Sequence, residues 1–414
     1  MMSNPESHVT DHSTRLAVNG GQPVCSNQLP GWPVYGGDEI DAVDEVLRSG
    51  RTNYWTGSEG QAFEREFADY CGVRYGVAVA NGSLALELAL VALGMGPGDE
   101  VIVTPRTFIA SASSVVLRGA LPVFADVSLD SQNITAETIE PCITERTRAV
   151  IVVHLAGQPC DMDPIVDLAG SRGLKVIEDC AQAHGARYKG RPVGSLGHIA
   201  AFSFCQDKIM STGGEGGMLV TDDESMWRRA WAYKDHGKNY YSVHRQDHPV
   251  GFRWLHDSFG SNWRLTEMQS AIGRVQLRKL PEWHRLRVRN AEILRHGLQS
   301  VPAVRIPELP PFLEHAWYKF YFFVNPIQLR SDWDRDRLVA AINAEGIPCF
   351  TGICPELYLE QAFINSTGRY PRLAAARKLG DDSIMLLLHP TLEPSDMEMM
   401  VAAVRKVFFA AAKQ

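Results

Sequence analysis

"FSFCQDKIMSTGGEGGMLVT", residues 202–221, is two apolar runs joined by a glycine-rich loop, with a single lysine, Lys208, between them. The pattern predicts a serine-bearing apolar strand before the lysine and a glycine-rich loop that returns as a second strand, which leaves the lysine at a sheet edge. Working outward, "YGVAVA" (75–80) reads as a buried strand and "SLALELALVALGMG" (83–96) as a helix closed by glycine. "EVIVTP" (100–105) is a strand leading into a helix from about Thr107 to Arg118, and "ALPVFADV" (120–127) is the next strand. "RAVIVVH" (148–154), a helix from Asp161 to about Arg172, and "LKVIED" (174–179) continue the alternation. Near-continuous apolar strands separated by helices predict an α/β chain with a mostly parallel sheet covered on both faces. Such sheets collect ligands at the carboxyl ends of their strands.

The texture changes after about Asn290, where an aromatic strand, "WYKFYFFV" (317–324), and a later "SIMLLLHP" (383–390) replace the alternation. A final helix is expected to open with Ser395 and Glu398 in capping-box spacing. We expect an N-terminal arm over 1–30, a large domain over 31–289 and a small α+β domain over 290–414. The 414 residues are 45% hydrophobic and 21% charged, ordinary usage for a folded protein with a large core. A formal net charge of -7 offers no basic field for phosphate backbones, so no nucleic-acid partner is expected. Eight scattered cysteines without a C-x-x-C pair suit reduced thiols in a cytoplasm. No apolar run suggests a membrane span or an export signal, and no histidine spacing suggests a metal.

The strand ends assemble into a site. Asn81-Gly82-Ser83 lies where a strand gives way to a helix, a turn whose free amides and dipole suit an anion. Asp179 closes an apolar strand, and Phe108 follows another. Taken singly, these could be a plain connection, a helix cap and a core residue. All of them fall at the same sheet edge as Lys208, and an amine, a phosphate seat, an acid and an aromatic plate together are what pyridoxal phosphate requires.

The chain resembles the DegT/DnrJ/EryC1/StrS family of pyridoxal phosphate-dependent sugar aminotransferases, which have the fold type I architecture of aspartate aminotransferase: a seven-stranded, mostly parallel sheet and a smaller α+β domain. The motifs are "NGSLALELAL", "GDEVIVTPRTFIAS", "VVHLAGQPCDMD", "IEDCAQAHGA", "FSFCQDKIMSTGGEGG" and "GSNWRLTEMQSAIGRVQL". The resemblance implies that Lys208 bonds to the cofactor and afterwards shuttles the proton, while Asp179 keeps the pyridine nitrogen protonated. It further implies that Gln182 lies near the ring, Phe108 stacks on it, and Gly82, Ser83 and Ser203 hold the phosphate. Asn262 would reach the phosphate in the neighbouring subunit, which implies a homodimer with shared active sites. His198 and Cys205 depart from the usual pattern without touching a core role.

What the resemblance implies chemically is transfer of an amino group from L-glutamate, through pyridoxamine phosphate, to a nucleotide-linked keto-deoxy sugar. A branch of the family carries histidine at the lysine position and dehydrates its substrate; here the lysine is present. The segment 237–260 is rich in polar and aromatic residues, and from it Tyr240 and Arg253 are substrate-contact candidates, as is His184. The opening "LAVNGGQPV" also resembles cyclitol aminotransferases and aminohydroxybenzoate synthases, a second enzyme reading that a preference for inosose-type ketones would select. A non-catalytic regulator on the same fold would predict loss of Lys208 or Asp179, and both are present.

Overall fold

A computed structural model describes residues 15–247 and 250–413. Numbering the principal elements in chain order, the strands of the large sheet are β1 (Tyr75–Val79), β2 (Glu100–Val103), β3 (Leu121–Phe124), β4 (Thr147–Val153), β5 (Lys175–Asp179), β6 (Ile199–Ser203) and β7 (Gly217–Thr221). Their spatial order is β1-β7-β6-β5-β4-β2-β3. The β2–β3, β2–β4, β4–β5 and β5–β6 pairs are parallel, whereas β7 runs antiparallel to both β6 and β1. The reason lies in the opening stretch: its short loop leaves no room for a crossover helix, so the chain must return as an antiparallel partner. The start of β7 therefore meets the ends of the parallel strands at one edge. A mostly parallel α/β sheet is what the strand pattern predicted, and seven strands are what the family resemblance implied.

Helices cover both faces: α1 (Gly37–Ser49), α2 (Glu59–Cys71), α3 (Gly82–Leu93), α4 (Ala110–Leu117), α5 (Met162–Ser171), α6 (Glu224–Lys234), α7 (Tyr240–His244) and α8 (Glu267–Leu298). The Asn81 side chain accepts a hydrogen bond from the Leu84 amide at 3.0 Å and starts α3, and Gly94, left-handed at φ 74°, ends it. The α4 helix begins three residues later than expected. Residues 104–109 make a bend instead, held by the buried Arg106, whose Nε and Nη2 donate to Gln132 Oε1 at 3.2 and 3.0 Å. This bend turns Phe108 outward, 62% exposed, so it is not a core residue.

A second, four-stranded antiparallel sheet comprises β8 (Val304–Arg305), β9 (Lys319–Val324), β10 (Cys349–Phe350) and β11 (Ser383–Leu387), in the order β8-β9-β11-β10. With α9 (Arg335–Ala344) and α10 (Pro394–Ala411) it encloses a core of Phe320, Phe322, Ile384, Leu386, Val404 and Phe408. The 32-residue α8 serves both bodies: Leu277 and Leu280 pack under the large sheet, Leu294 and Leu298 in the second core. Leu16 and Cys25, from the N-terminal arm, are buried in that second core as well. The arm is fastened by the buried carboxylate of Glu345, which accepts from the Ala17 amide at 2.8 Å, the Val24 amide at 3.1 Å and Lys406 Nζ at 2.9 Å. At the start of α10 the capping residues are not Ser395 and Glu398. Pro394 takes the first helical position, which moves the cap to Glu393, whose amide donates to Asp396 Oδ2 at 2.9 Å.

Candidate active site

A cavity of about 860 Å³ opens between the strand ends of the large sheet and the face of the second sheet. One wall carries Gly82, Ser83, Phe108, Asp179, Gln182, Ser203 and Lys208. The opposite wall is made by Tyr318, Lys319, Tyr321, Phe350, Ile353 and Met385. These seven sequence-chosen positions and their unforeseen neighbours thus face one space, whereas Asn262, Arg253 and Tyr240 lie outside the lining.

The floor at α3 is built for close approach. A Cβ placed on Gly82 would sit 2.5 Å from Ser203 Cβ and 2.9 Å from its Oγ, so only glycine lets the helix end meet β6. The first intrahelical bond runs from the Ala85 amide to the Asn81 carbonyl, and Asn81 Oδ1 takes the Leu84 amide. The amides of Gly82 and Ser83 come earlier and remain for an anion. Ser203 and Ser83 add hydroxyls beside them.

Asp179 ends β5 almost fully buried. Ser111 Oγ donates to its Oδ2 at 2.7 Å and the Ala181 amide to its Oδ1 at 3.1 Å. Burial nevertheless pushes its carboxyl above the ordinary range, against the pull of those two donors. Directly before it, Glu178 accepts from the amides of Gly194, Leu196 and Gly197 and from His154 Nε2 at 3.0 Å. His154 Nδ1 accepts from the Cys160 amide at 3.0 Å, which fixes the proton on Nε2. The buried group His154, Glu178 and Cys180 has metal-like proximity, yet its histidine and carboxylate atoms are committed to this network. It braces the strand that delivers Asp179.

Lys208 stands where the loop after β6 turns back. Its carbonyl accepts from Trp32 Nε1 at 2.7 Å, and its Nζ lies 3.2 Å from Asp207 Oδ1 and 3.5 Å from Tyr318 Oη. The Tyr318 hydroxyl in turn donates to Asp207 Oδ2. Burial raises the Asp207 carboxyl, but Lys208 and the Tyr318 hydroxyl outweigh it and hold the group below its ordinary value. Asp207, Tyr318 and Trp32 have no assigned role in the sequence reading. A signal did exist in "WYKFYFFV": a tyrosine and a lysine heading an otherwise apolar strand.

Gln182 also lines the cavity, and its Oε1 accepts from the Ala156 amide at 2.8 Å. His184 does not come to the cavity. It is fully buried between Phe202 and Phe204, with ring centroids 5.4 and 5.7 Å away, and burial, with Lys208 and Arg287 adding to it, lowers its imidazole to about 3. Tyr240 packs in α7 against Trp227 and Trp231 at 4.9 and 5.0 Å. Arg253 is half-buried in the segment that follows α7, and Asn262 is exposed, bridged through its backbone to Asp235.

A glycine cradle at a helix N-terminus, a buried carboxylate with a raised pKa and a lysine at hydrogen-bonding distance from an acid fit pyridoxal phosphate. Known proteins agree with that reading. The crystal structure of an aminotransferase from Psychrobacter cryohalolentis superposes with a TM-score of 0.90 at 51% identity, covering 92% of this chain and 99% of that one. The dTDP-3-amino-3,4,6-trideoxy-alpha-D-glucose transaminase of Streptomyces venezuelae is 36% identical over 88% of this chain and 90% of its own. A Micromonospora echinospora protein described as a putative L-glutamine:3-amino-2,3-dideoxy-scyllo-inosose aminotransferase is 34% identical over 95% of this chain and 97% of its own. With the family model matched over residues 33–405, the chain belongs to the DegT/DnrJ/EryC1/StrS aminotransferase family, whose members depend on pyridoxal phosphate.

Proposed function

We propose that this aminotransferase moves an amino group from L-glutamate to the keto carbon of a nucleotide-linked keto-deoxy sugar, giving an amino sugar. The observation that carries the reading is the convergence of Lys208, Asp179 and the Gly82–Ser83 turn on one cavity large enough for more than an amino acid. Bound pyridoxal phosphate supplies an electron sink for the carbon that loses its proton. The chain's own residues do the rest. Lys208 carries a proton between donor or acceptor carbon and cofactor, Asp179 keeps the ring nitrogen protonated, and Gly82, Ser83 and Ser203 hold the phosphate. Phe108 offers an exposed aromatic face to the ring.

The catalytic unit in this proposal is a homodimer. Its support is the run of exposed apolar side chains Tyr241, Phe252, Trp254 and Phe259 near the exposed Asn262, in a segment that contributes nothing to its own chain's cavity. Arg253 and Tyr240 belong to the same segment, which would then serve the partner's site. Eight free thiols support a reducing, cytoplasmic setting. Among the described residues no helix is long and apolar enough to cross a membrane.

The test follows the cofactor's absorbance. Enzyme loaded with pyridoxal phosphate is converted by L-glutamate, freed of donor and offered single ketones. Recovery of the starting spectrum with a nucleotide-linked 3-keto or 4-keto hexose is expected. Recovery only with a free inosose would select the cyclitol reading, which the Micromonospora relative's description favours.

A further inference from the structure

Lys208 and Lys319 are the cations among the described residues that line the cavity. Lys208 is committed to the cofactor in the proposed function, and the cofactor phosphate has its seat at the start of α3, on the other wall. Lys319 has no such commitment. It heads β9, and its ammonium lies 4.6 Å from the centroid of the Tyr318 ring, the same ring that Lys208 Nζ approaches to 5.3 Å. Among the described residues no carboxylate lies within ion-pair distance of its ammonium and no acceptor within hydrogen-bond distance, although Asp207 is near enough to act on it. Burial, with Arg287 and Lys208 adding to it and Asp207 opposing, lowers the group to about 8. A half-buried ammonium in the cavity wall is partly stripped of water and gains most from a ligand that supplies an anion.

The geometry points to Lys319 as the residue that binds the carboxylate of the amino donor. An amino acid donor carries its α-carboxylate on the very carbon whose proton Lys208 removes, so the matching cation must stand beside Lys208 and not at the cavity mouth. Lys319 does so, across one aromatic ring. The diphosphate of a nucleotide sugar lies a sugar ring's width from a C3 or C4 ketone and would meet charge further out. A carboxylate paired with this half-buried ammonium forms a charge-assisted hydrogen bond.

This inference rests on the proposed function for its donor and is tested apart from it. Glutarate, a dicarboxylate with no amine or ketone, is titrated into the loaded enzyme by calorimetry, and the two half-reactions are followed separately by absorbance. Lys319→Gln is expected to weaken glutarate binding and raise the KM for L-glutamate roughly ten- to a hundredfold, with the return driven by the keto acceptor within about twofold of the parent. Lys319→Arg should recover part of the loss. Unchanged glutarate affinity in Lys319→Gln, or a loss confined to the acceptor half-reaction, would overturn the assignment. Should no nucleotide-linked ketone react with the parent enzyme, the sugar reading fails while the glutarate titration still decides the role of Lys319.

Discussion

Asp207 shows what a single position contributes. It precedes Lys208, accepts from Tyr318, and so ties the loop after β6 to the strand that carries Lys319. Asp207→Asn keeps the shape and removes the charge; kcat in the glutamate half-reaction is expected to fall about tenfold, a part of the roughly 10²–10⁴-fold that a well-placed acid–base group contributes, with KM little changed. Asp179 is the graver case, because burial raises its carboxyl and in the proposed function it is paired with the protonated ring nitrogen. Asp179→Asn should lower kcat/KM by about 10²–10⁴, matching the roughly 3–5 kcal/mol lost when one member of a buried charge pair is removed. Stopped-flow turnover would measure both. At this scale the sequence was informative wherever a motif is local: Lys208, Asp179, Gly82 and Phe108 were chosen from it and line one cavity. For Tyr318 it offered a polar head on an apolar strand but not the partner, because the lysine it touches lies 110 positions away and no local periodicity encodes that meeting. His184 shows the opposite difficulty. It is two residues from Gln182, but the turn after β5 carries it beneath the sheet.

Among the elements, the junction of β1 and α3 has the tightest tolerance. Gly82→Ala places a methyl against Ser203, and overpacking of this kind costs about 1–3 kcal/mol. The helix end must back away from β6, so affinity for pyridoxal phosphate is expected to fall well before the fold does; equilibrium dialysis beside a thermal melt separates the two. The Asn81→Ala change acts differently, removing the α3 cap at a cost of about 1 kcal/mol. Strand positions were legible because a doubly covered sheet demands uninterrupted apolar runs. Helix starts were less so: α4 gives up a turn to the buried Arg106, and α10 takes its cap from Glu393, both decided by contacts that helix patterning does not carry.

For the whole molecule, acid is the informative stress. His184, His315 and His389 are each lowered to about 3, chiefly by burial, and are neutral in the fold. Their unfolded-state value is near 6.5, so below that pH the unfolded chain takes up protons that the folded one refuses. Stability is complete above about pH 6.5 and is lost as pH falls toward the folded value. Thermal midpoints are therefore expected to drop between about pH 6.5 and 5, above the range where most carboxylates titrate, and His389→Asn should flatten part of that slope.

Glu345 has a bearing on the birth of the enzyme. It and Lys406 hold the arm through Ala17, Gln22 and Val24, and the same arm leads to Trp32, which hydrogen-bonds the carbonyl of Lys208. The arm's seat is therefore made by residues more than 300 positions further along the chain. On a ribosome the arm cannot take this seat until Glu345 and Lys406 have both emerged, so it waits unseated while the strands of the large sheet are made.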